Sequence, residues 1–376
     1  MKKILFLISF FLFVACQKED PQEVLPNTYD ITLVYMIADN DLAPYAIKDI
    51  NEMERGFATN DKDKVLVYID TNASAELPAH PILLEIVPDQ TDQIKSKILY
   101  SYQEQNSANS VVLTNILKDA FSYYQGSKPK GLILWSHGNA WLPEHYHIAT
   151  DSESKSFGKD FSPKNASMGI TDLAEALRPF HFEYILFDAC FMASIEVLYE
   201  LRHATDFFIA SPAEILADGF PYHQIMPYLL GRVQLEKVTQ TYYDYYNQQS
   251  GLFQSATVTL VDANYLNELA TFLQKNNTIT KIQVSNLQQY SRKNENFLFD
   301  LKQILLHNET ISFEIKKIWQ KLCKVEKHTS DIAGMPLDNC NGISTFLFNQ
   351  NKSLNEYYKT LSWHKQTQLA SFYFYL

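Results

Sequence analysis

Short runs of consecutive apolar residues alternate along this chain with stretches whose apolar positions recur every three to four residues. The first pattern predicts strands buried on both faces, and the second predicts amphipathic helices. Residues 31–38 form one such run, closed by Asp39-Asn40-Asp41, and 42–57 follow as a helix with apolar positions 43, 46, 47, 50, 53 and 57. Strands are predicted over 64–70 and 82–87, and a helix over 110–124. The run from Gly131 ends in Trp135-Ser136-His137-Gly138, and the run 184–187 ends in Asp188-Ala189-Cys190. Between them 171–180 has helical spacing, with Thr171 as its N-cap. A helix over 194–201, a strand over 207–211, a loop over 217–222 and a strand over 253–261 come next. Helical periodicity then dominates 265–327, before a strand over 342–348 that returns to the sheet and an amphipathic helix over 363–375.

Strands alternating with helices at this spacing indicate an α/β fold built on a parallel sheet. Such sheets place ligands at the carboxyl ends of their strands, which is where His137 and Cys190 fall. Neither a repeat nor a long low-complexity linker divides the chain. The expected organisation is a signal peptide at 1–15, a tether at 16–28, a core at 29–262, a mostly helical subdomain at 263–330, and a returning strand with a C-terminal helix at 331–376.

The N-terminus adds a compartment. Lys2 and Lys3 precede a short apolar run that ends in Ala15-Cys16, the layout of a signal peptide, and the run is too short to span a bilayer. Phe13-Val14-Ala15-Cys16 resembles a bacterial lipobox, with Phe where Leu is usual, so Cys16 is the expected lipidation site. Gln17-Lys18-Glu19-Asp20 reads either as an acidic export tag, like that of some surface lipoproteins, or as a solvated linker. The expectation is an exported bacterial lipoprotein of the outer membrane, on one leaflet or the other.

Composition narrows the functional classes. An apolar fraction of 46% over 376 residues supports a large core. The formal charge of −11, with no basic stripe, argues against nucleic acid as a partner. The four cysteines show no metal-ligand spacing; Cys323 and Cys340 could pair in an oxidising compartment or remain buried thiols.

A thiol acts as a nucleophile when an adjacent imidazole supplies the thiolate, so Cys190 with His137 is a minimal acyl-transfer pair. Gly138 can bring a backbone N–H close to a substrate, and the Cys190 N–H is the other natural oxyanion donor. A carboxylate two residues before the thiol would oppose thiolate formation if it stood idle. Asp188 is therefore better placed to receive a cationic substrate side chain, although an Asp there could also cap a turn.

At these residues the chain resembles the clostripain family of cysteine peptidases, relatives of the caspases, gingipains and legumains. The resemblance rests on Leu134-Trp-Ser-His137-Gly138-Asn-Ala-Trp141 and Phe187-Asp188-Ala-Cys190-Phe-Met-Ala-Ser-Ile-Glu196. Supporting matches are Leu33 to Leu42, Ala210-Ser-Pro-Ala-Glu214, Gly219-Phe-Pro-Tyr222 and Gly342-Ile-Ser344. It implies a caspase-like layered fold and cleavage of polypeptides after Arg or Lys. His137 would be the general acid/base, Cys190 the nucleophile, the Gly138 and Cys190 amides the oxyanion hole, and Asp188, more weakly Asp218, the receptor of the basic side chain. Zymogen cutting between His and Cys is common in the family, and the polar 143–168 insert offers Lys155, Lys159 and Lys164 as self-cleavage points.

No cofactor is required by this chemistry. Calcium is implied for some members, with Asp39, Asp41, Asp151 and Glu153 as available oxygen ligands. His145 and His147 lack the further ligands of a zinc site and read as loop histidines. A monomer is expected. The competing function is an inactive, surface-tethered module binding peptide or glycan on the same scaffold, for which the 23 Tyr and 24 Phe would line a groove.

Overall fold

In a computed structural model of the chain, the described residues are 28–58, 62–72, 76–143, 146–147, 153–154, 156–163, 165–276, 280–291 and 297–375. The predicted signal peptide, Cys16 and most of the tether, together with His145, Asp151, Lys155 and Lys164, lie outside them. Among the described residues no helix is long and apolar enough to cross a membrane.

A nine-stranded sheet organises the chain. Its centre is five mutually parallel strands in the order Thr205–Ala210, Phe182–Asp188, Lys128–Trp135, Asp30–Ala38 and Asp63–Thr71. Antiparallel strands extend both flanks: Ile82–Glu85 and Lys97–Ser101 on one side, Thr257–Asp262 and Cys323–His328 on the other. The mostly parallel, helix-flanked sheet is the predicted α/β architecture.

The central strands are apolar throughout because helices cover both faces. On one face Ala43–Gly56, Tyr222–Leu229 and Leu235–Asn247 bury Ile50, Met53, Ile225, Val238 and Tyr242. On the other, Ser110–Ser122, Ile170–Leu177, Ile195–Leu201, Leu266–Asn276 and Ser312–Leu322 share a second core. The helices after residue 263 therefore pack into the same core as the rest.

Several predicted elements change. The 171–180 helix is Ile170–Leu177, and its N-cap is Gly169 with no side-chain cap, rather than Thr171. The mostly helical 263–330 block ends in the Cys323–His328 strand, which joins the central sheet at its edge. An edge strand is buried against one neighbour only, so its sequence Cys-Lys-Val-Glu-Lys-His carries none of the apolar density that marks the centre.

The predicted returning strand at 342–348 reduces to Ser344–Thr345, which pairs with Phe299–Asp300 instead of the central sheet. Its apolar residues are buried because this strap packs over the helix that follows Cys190. There the buried Glu196 Oε1 accepts hydrogen bonds from Thr345 Oγ1 at 2.7 Å, Phe346 N at 3.1 Å and Tyr358 Oη at 2.7 Å. The C-terminal helix spans only Ser362–Thr367 and is stopped by Gln368, whose φ of 52° is left-handed. Cys190, Cys323 and Cys340 are free thiols.

Candidate active site

Parallel strands Lys128–Trp135 and Phe182–Asp188 are direct neighbours, with Trp135 opposite Asp188. Both chains leave the sheet at the same edge, which brings His137, Gly138, Asp188 and Cys190 to the wall of one cavity of about 460 Å³. The strand ends at Asp188, so Cys190 sits in the turn beyond it. That turn is tight: Phe191 has φ 64°, a conformation costing a non-glycine residue roughly 1–2 kcal/mol. It is held by hydrogen bonds from Phe191 N to Ala213 O at 2.9 Å and Ala193 N to Ser211 O at 2.8 Å.

Gly138 lies directly against this turn. A Cβ built there would meet Cys190 O at 2.5 Å and Cys190 N at 3.1 Å, so the approach of the two backbones needs glycine. Its neighbours are fixed by Asn139 N donating to Ser156 O and Gly158 N donating to His137 O, at 2.8 and 2.9 Å. The Gly138 N–H itself donates to no described residue. Next to it, the Cys190 sulfur accepts a hydrogen bond from the Ile215 N–H at 3.4 Å, and its thiol donates to the Ile215 carbonyl at 3.8 Å.

The half-buried His137 places Nε2 3.1 Å from Asp41 Oδ1. Burial lowers its pKa, the Asp41 carboxylate partly offsets this, and Lys159 lowers it again, leaving the ring below its ordinary value. A neutral imidazole beside a thiol can take that thiol's proton. Asp41 is thus a partner that sequence reading assigned to calcium, and its only local signal was its position at the end of the neighbouring strand. Asp41→Asn should lower the His137 pKa further, measured by NMR titration of the ring. An unchanged or raised value would mean that the contact is not made in solution.

Asp188 is 4% exposed. Its Oδ2 accepts hydrogen bonds from Phe220 N at 3.1 Å and Tyr222 Oη at 2.8 Å, while Oδ1 accepts none from described residues. Gly219, at φ 60°, packs so closely that a Cβ would lie 2.6 Å from Oδ2. Burial, reinforced by Glu52, pushes the Asp188 pKa up to about 6 despite those hydrogen bonds. Asp49 is buried beneath it, accepts a hydrogen bond from Trp135 Nε1 at 2.8 Å, and is also raised, first by burial and then by Asp188. Uncompensated buried carboxylates are costly and favour a cation that enters beside them. Asp49 and Glu52 were not singled out from sequence; the available signal was acidic residues on the buried stripe of the 43–56 helix.

Asp218 is not brought to this cavity, whose wall includes Ala217 but not its neighbour. Its Oδ1 instead accepts a hydrogen bond from Lys48 Nζ at 2.5 Å. Lys159 stands in the Phe157–Asp160 strand, where its carbonyl accepts from Asn40 Nδ2 at 2.6 Å and its N–H donates to Ser136 Oγ at 3.3 Å.

Of the four carboxylates expected for calcium, the side chains of Asp39 and Asp41 are described. Asp41 engages His137 and Lys159, Asp39 is buried, Asp151 lies outside the described residues, and only the backbone of Glu153 is described. Among the described residues, ligand-type side chains converge within ion-sharing distance only at Glu326, His328 and Cys340. Of the two loop histidines, only the backbone of His147 is described.

A family model for the clostripain family matches residues 34–373. The chain belongs to the clostripain family. As such it is a cysteine peptidase, and the solved structures agree. A secreted C11 cysteine protease from Bacteroides thetaiotaomicron, in complex with an irreversible peptide inhibitor, is 27% identical with a TM-score of 0.77, covering 90% of this chain and 99% of that one. An inactive zymogen C11 protease from Parabacteroides distasonis is 28% identical with a TM-score of 0.75, covering 92% and 99%. A further secreted C11 protease from B. thetaiotaomicron, at 22% identity and TM-score 0.76 over 91% and 100%, shares the fold. None of the curated proteins matches the chain. The clostripain-family assignment makes the caspase-like layered architecture a family property rather than a coincidence of sheet order.

Proposed function

We propose that this peptidase is an endopeptidase that cuts polypeptides after Arg or Lys through a thioester on Cys190. The observation that carries the reading is the buried Asp188 carboxylate in the wall of the Cys190 cavity, with Oδ1 uncommitted. A guanidinium or ammonium entering the cavity would neutralise it, whereas an acidic or apolar side chain would leave a buried charge unpaired.

In this reading His137 takes the Cys190 thiol proton, and the thiolate attacks the scissile carbonyl. The Gly138 and Cys190 N–H groups bind the developing oxyanion, each such donor being worth on the order of 3 kcal/mol of barrier. His137 returns the proton to the leaving amine, the C–N bond breaks, and water then hydrolyses the thioester. Asp218 has a secondary part at most, since engaging substrate would require it to leave Lys48. The dyad and the two amides suffice for this chemistry without a cofactor, and the chain acts as a monomer.

Activation is proposed to involve self-cleavage in the 143–168 insert, as befits a relative of a zymogen from P. distasonis. The Lys159 peptide is held in a strand on both its N–H and its carbonyl, which a protease must peel away before cutting. Lys155 and Lys164, which lie outside the described residues, stand as candidates on sequence alone.

The test of specificity uses protein lacking residues 1 to 16 and fluorogenic peptides ending in Arg, Lys or Asp. Hydrolysis after Arg and Lys alone is expected. Turnover of the Asp peptide, or of none after proteolytic activation, would remove this reading and favour the tethered binding module. Membrane anchoring through a lipid on Cys16 is proposed from the lipobox alone. Metabolic labelling with palmitate should mark the protein and be lost in Cys16→Ser; a labelled variant would place the lipid elsewhere.

A further inference from the structure

We infer that Glu326, His328 and Cys340 form a binding site for a zinc-type divalent cation, separate from the peptidase cavity. One ligand atom from each lies within 4.8 Å of the others. Tetrahedral zinc, with Zn–N of about 2.0–2.1 Å and Zn–S of about 2.3 Å, has ligand-to-ligand edges of roughly 3.3–3.6 Å. The three side chains can close on an ion by small rotamer adjustments.

The hydrogen bonding prepares these groups as ligands. His328 Nδ1 lies 2.8 Å from the Thr329 carbonyl, which can only accept, so Nδ1 carries a proton and, in the neutral ring that a metal requires, Nε2 presents the lone pair. That Nε2 is 3.8 Å from Glu326 Oε1, beyond hydrogen-bond range. Glu326 Oε1 is itself buried with no hydrogen-bond partner among the described residues. With the ring neutral, two acceptors face each other across this gap, and a metal cation between them relieves that just as a proton on Nε2 would; the Cys340 thiol, hydrogen-bonded to the Glu326 carboxylate, lies at the same point. The Cys340 thiol completes a nitrogen, oxygen and sulfur set of the kind zinc prefers over calcium or magnesium.

The backbone delivers the three from two independently fixed segments. Glu326 and His328 are two apart on the Cys323–His328 strand, hence on one face, in register with Thr259 and Thr257. Cys340 comes from a loop that can lie on this strand only because of Gly342. A Cβ at that position, φ 82°, would be 2.4 Å from Thr259 Oγ1 and 2.7 Å from Glu326 Cγ. The loop is further pinned by Asn341 N donating to Asp300 Oδ2 at 2.8 Å. Cys340 is buried, with Tyr290 Oη donating to its sulfur at 3.4 Å, while Glu326 and His328 are partly exposed and give an ion access from their side.

On binding, the Cys340 S–H bond is replaced by an S–metal bond and the proton leaves to solvent. The cation would then fasten the outer strand of the sheet to the strap. That strap reaches the segment after Cys190 through Ser344 N donating to Ala193 O at 3.0 Å. Its role is to hold the C-terminal strap, not to take part in peptide cleavage.

The test uses the full chain carrying Cys190→Ala, which removes the other thiol able to bind zinc beside a histidine. After chelation, titration with Zn²⁺ should show one ion bound per chain through this site and a raised Tm. Co²⁺ should give a thiolate-to-cobalt charge-transfer band. Cys340→Ser and His328→Gln should each weaken Zn²⁺ binding by more than the roughly 10–100-fold typical of losing an outer partner of a metal site. His328 is partly exposed, so its variant keeps the test valid if the buried Cys340 replacement folds poorly. No binding, or binding that either correctly folded variant leaves intact, would overturn the assignment.

Discussion

Cys190→Ala is expected to lower kcat/KM for Arg and Lys peptides by at least roughly 10⁴-fold, because Cys190 is the one thiol among the described residues that line the cavity. The residual rate would come from the oxyanion donors and binding alone. The same variant should stay a single chain on storage, whereas the parent is expected to be cut within the 143–168 insert; mass spectrometry of both reads this directly. The turn at Phe191 and the hydrogen bonds to Ala213 and Ser211 involve backbone, so the variant keeps the fold and its Tm changes little. A variant that still turned over substrate, or still cut itself, would dismiss Cys190 as the nucleophile.

Asp188→Asn should cost roughly 10²–10³-fold in kcat/KM for cationic substrates, the range for losing one partner of a buried charge pair. Alkylation of Cys190 by a small uncharged reagent should be largely retained. The amide preserves size and can still meet Tyr222 and Phe220, so what is removed is the charge. The parent should also show an acid limb. Asp188 has its pKa raised to about 6, so its carboxylate is charged above that pH and neutral below it, and kcat/KM for an Arg peptide falls as pH drops through that region. The variant should lose that limb and keep only the fall caused by protonation of His137. Equal losses in turnover and alkylation would instead mean that Asp188 holds the turn together.

Much of this site was legible in sequence because its chemistry is local. His137 and Cys190 each follow an apolar run that can only be a central strand, and parallel strands bring their ends to one edge. Asp188 was legible for the same reason, being the last residue of its strand. Glu196 stood out only as part of the Cys190 block; its three hydrogen bonds to the strap arise between residues about 150 positions apart. The strand at 323–328 was hidden by its edge position, and the 342–348 run read as sheet because a buried strap is as apolar as a strand. The early stop of the C-terminal helix at Gln368 turns on one left-handed residue, for which amphipathic spacing gives no signal.

The sequence by itself determined the layered α/β class, the two strand ends and the residue types they carry, since burial on both faces writes a continuous apolar run and the chain must end it in polar residues. Only the tertiary structure decided which charges meet. It gave Asp41 to His137, Lys48 to Asp218, and Asp49 with Glu52 to the neighbourhood of Asp188. Electrostatic partners are set by distances across packed elements, where a few ångströms and the loss of water change an interaction several-fold, and no spacing along the chain encodes those distances.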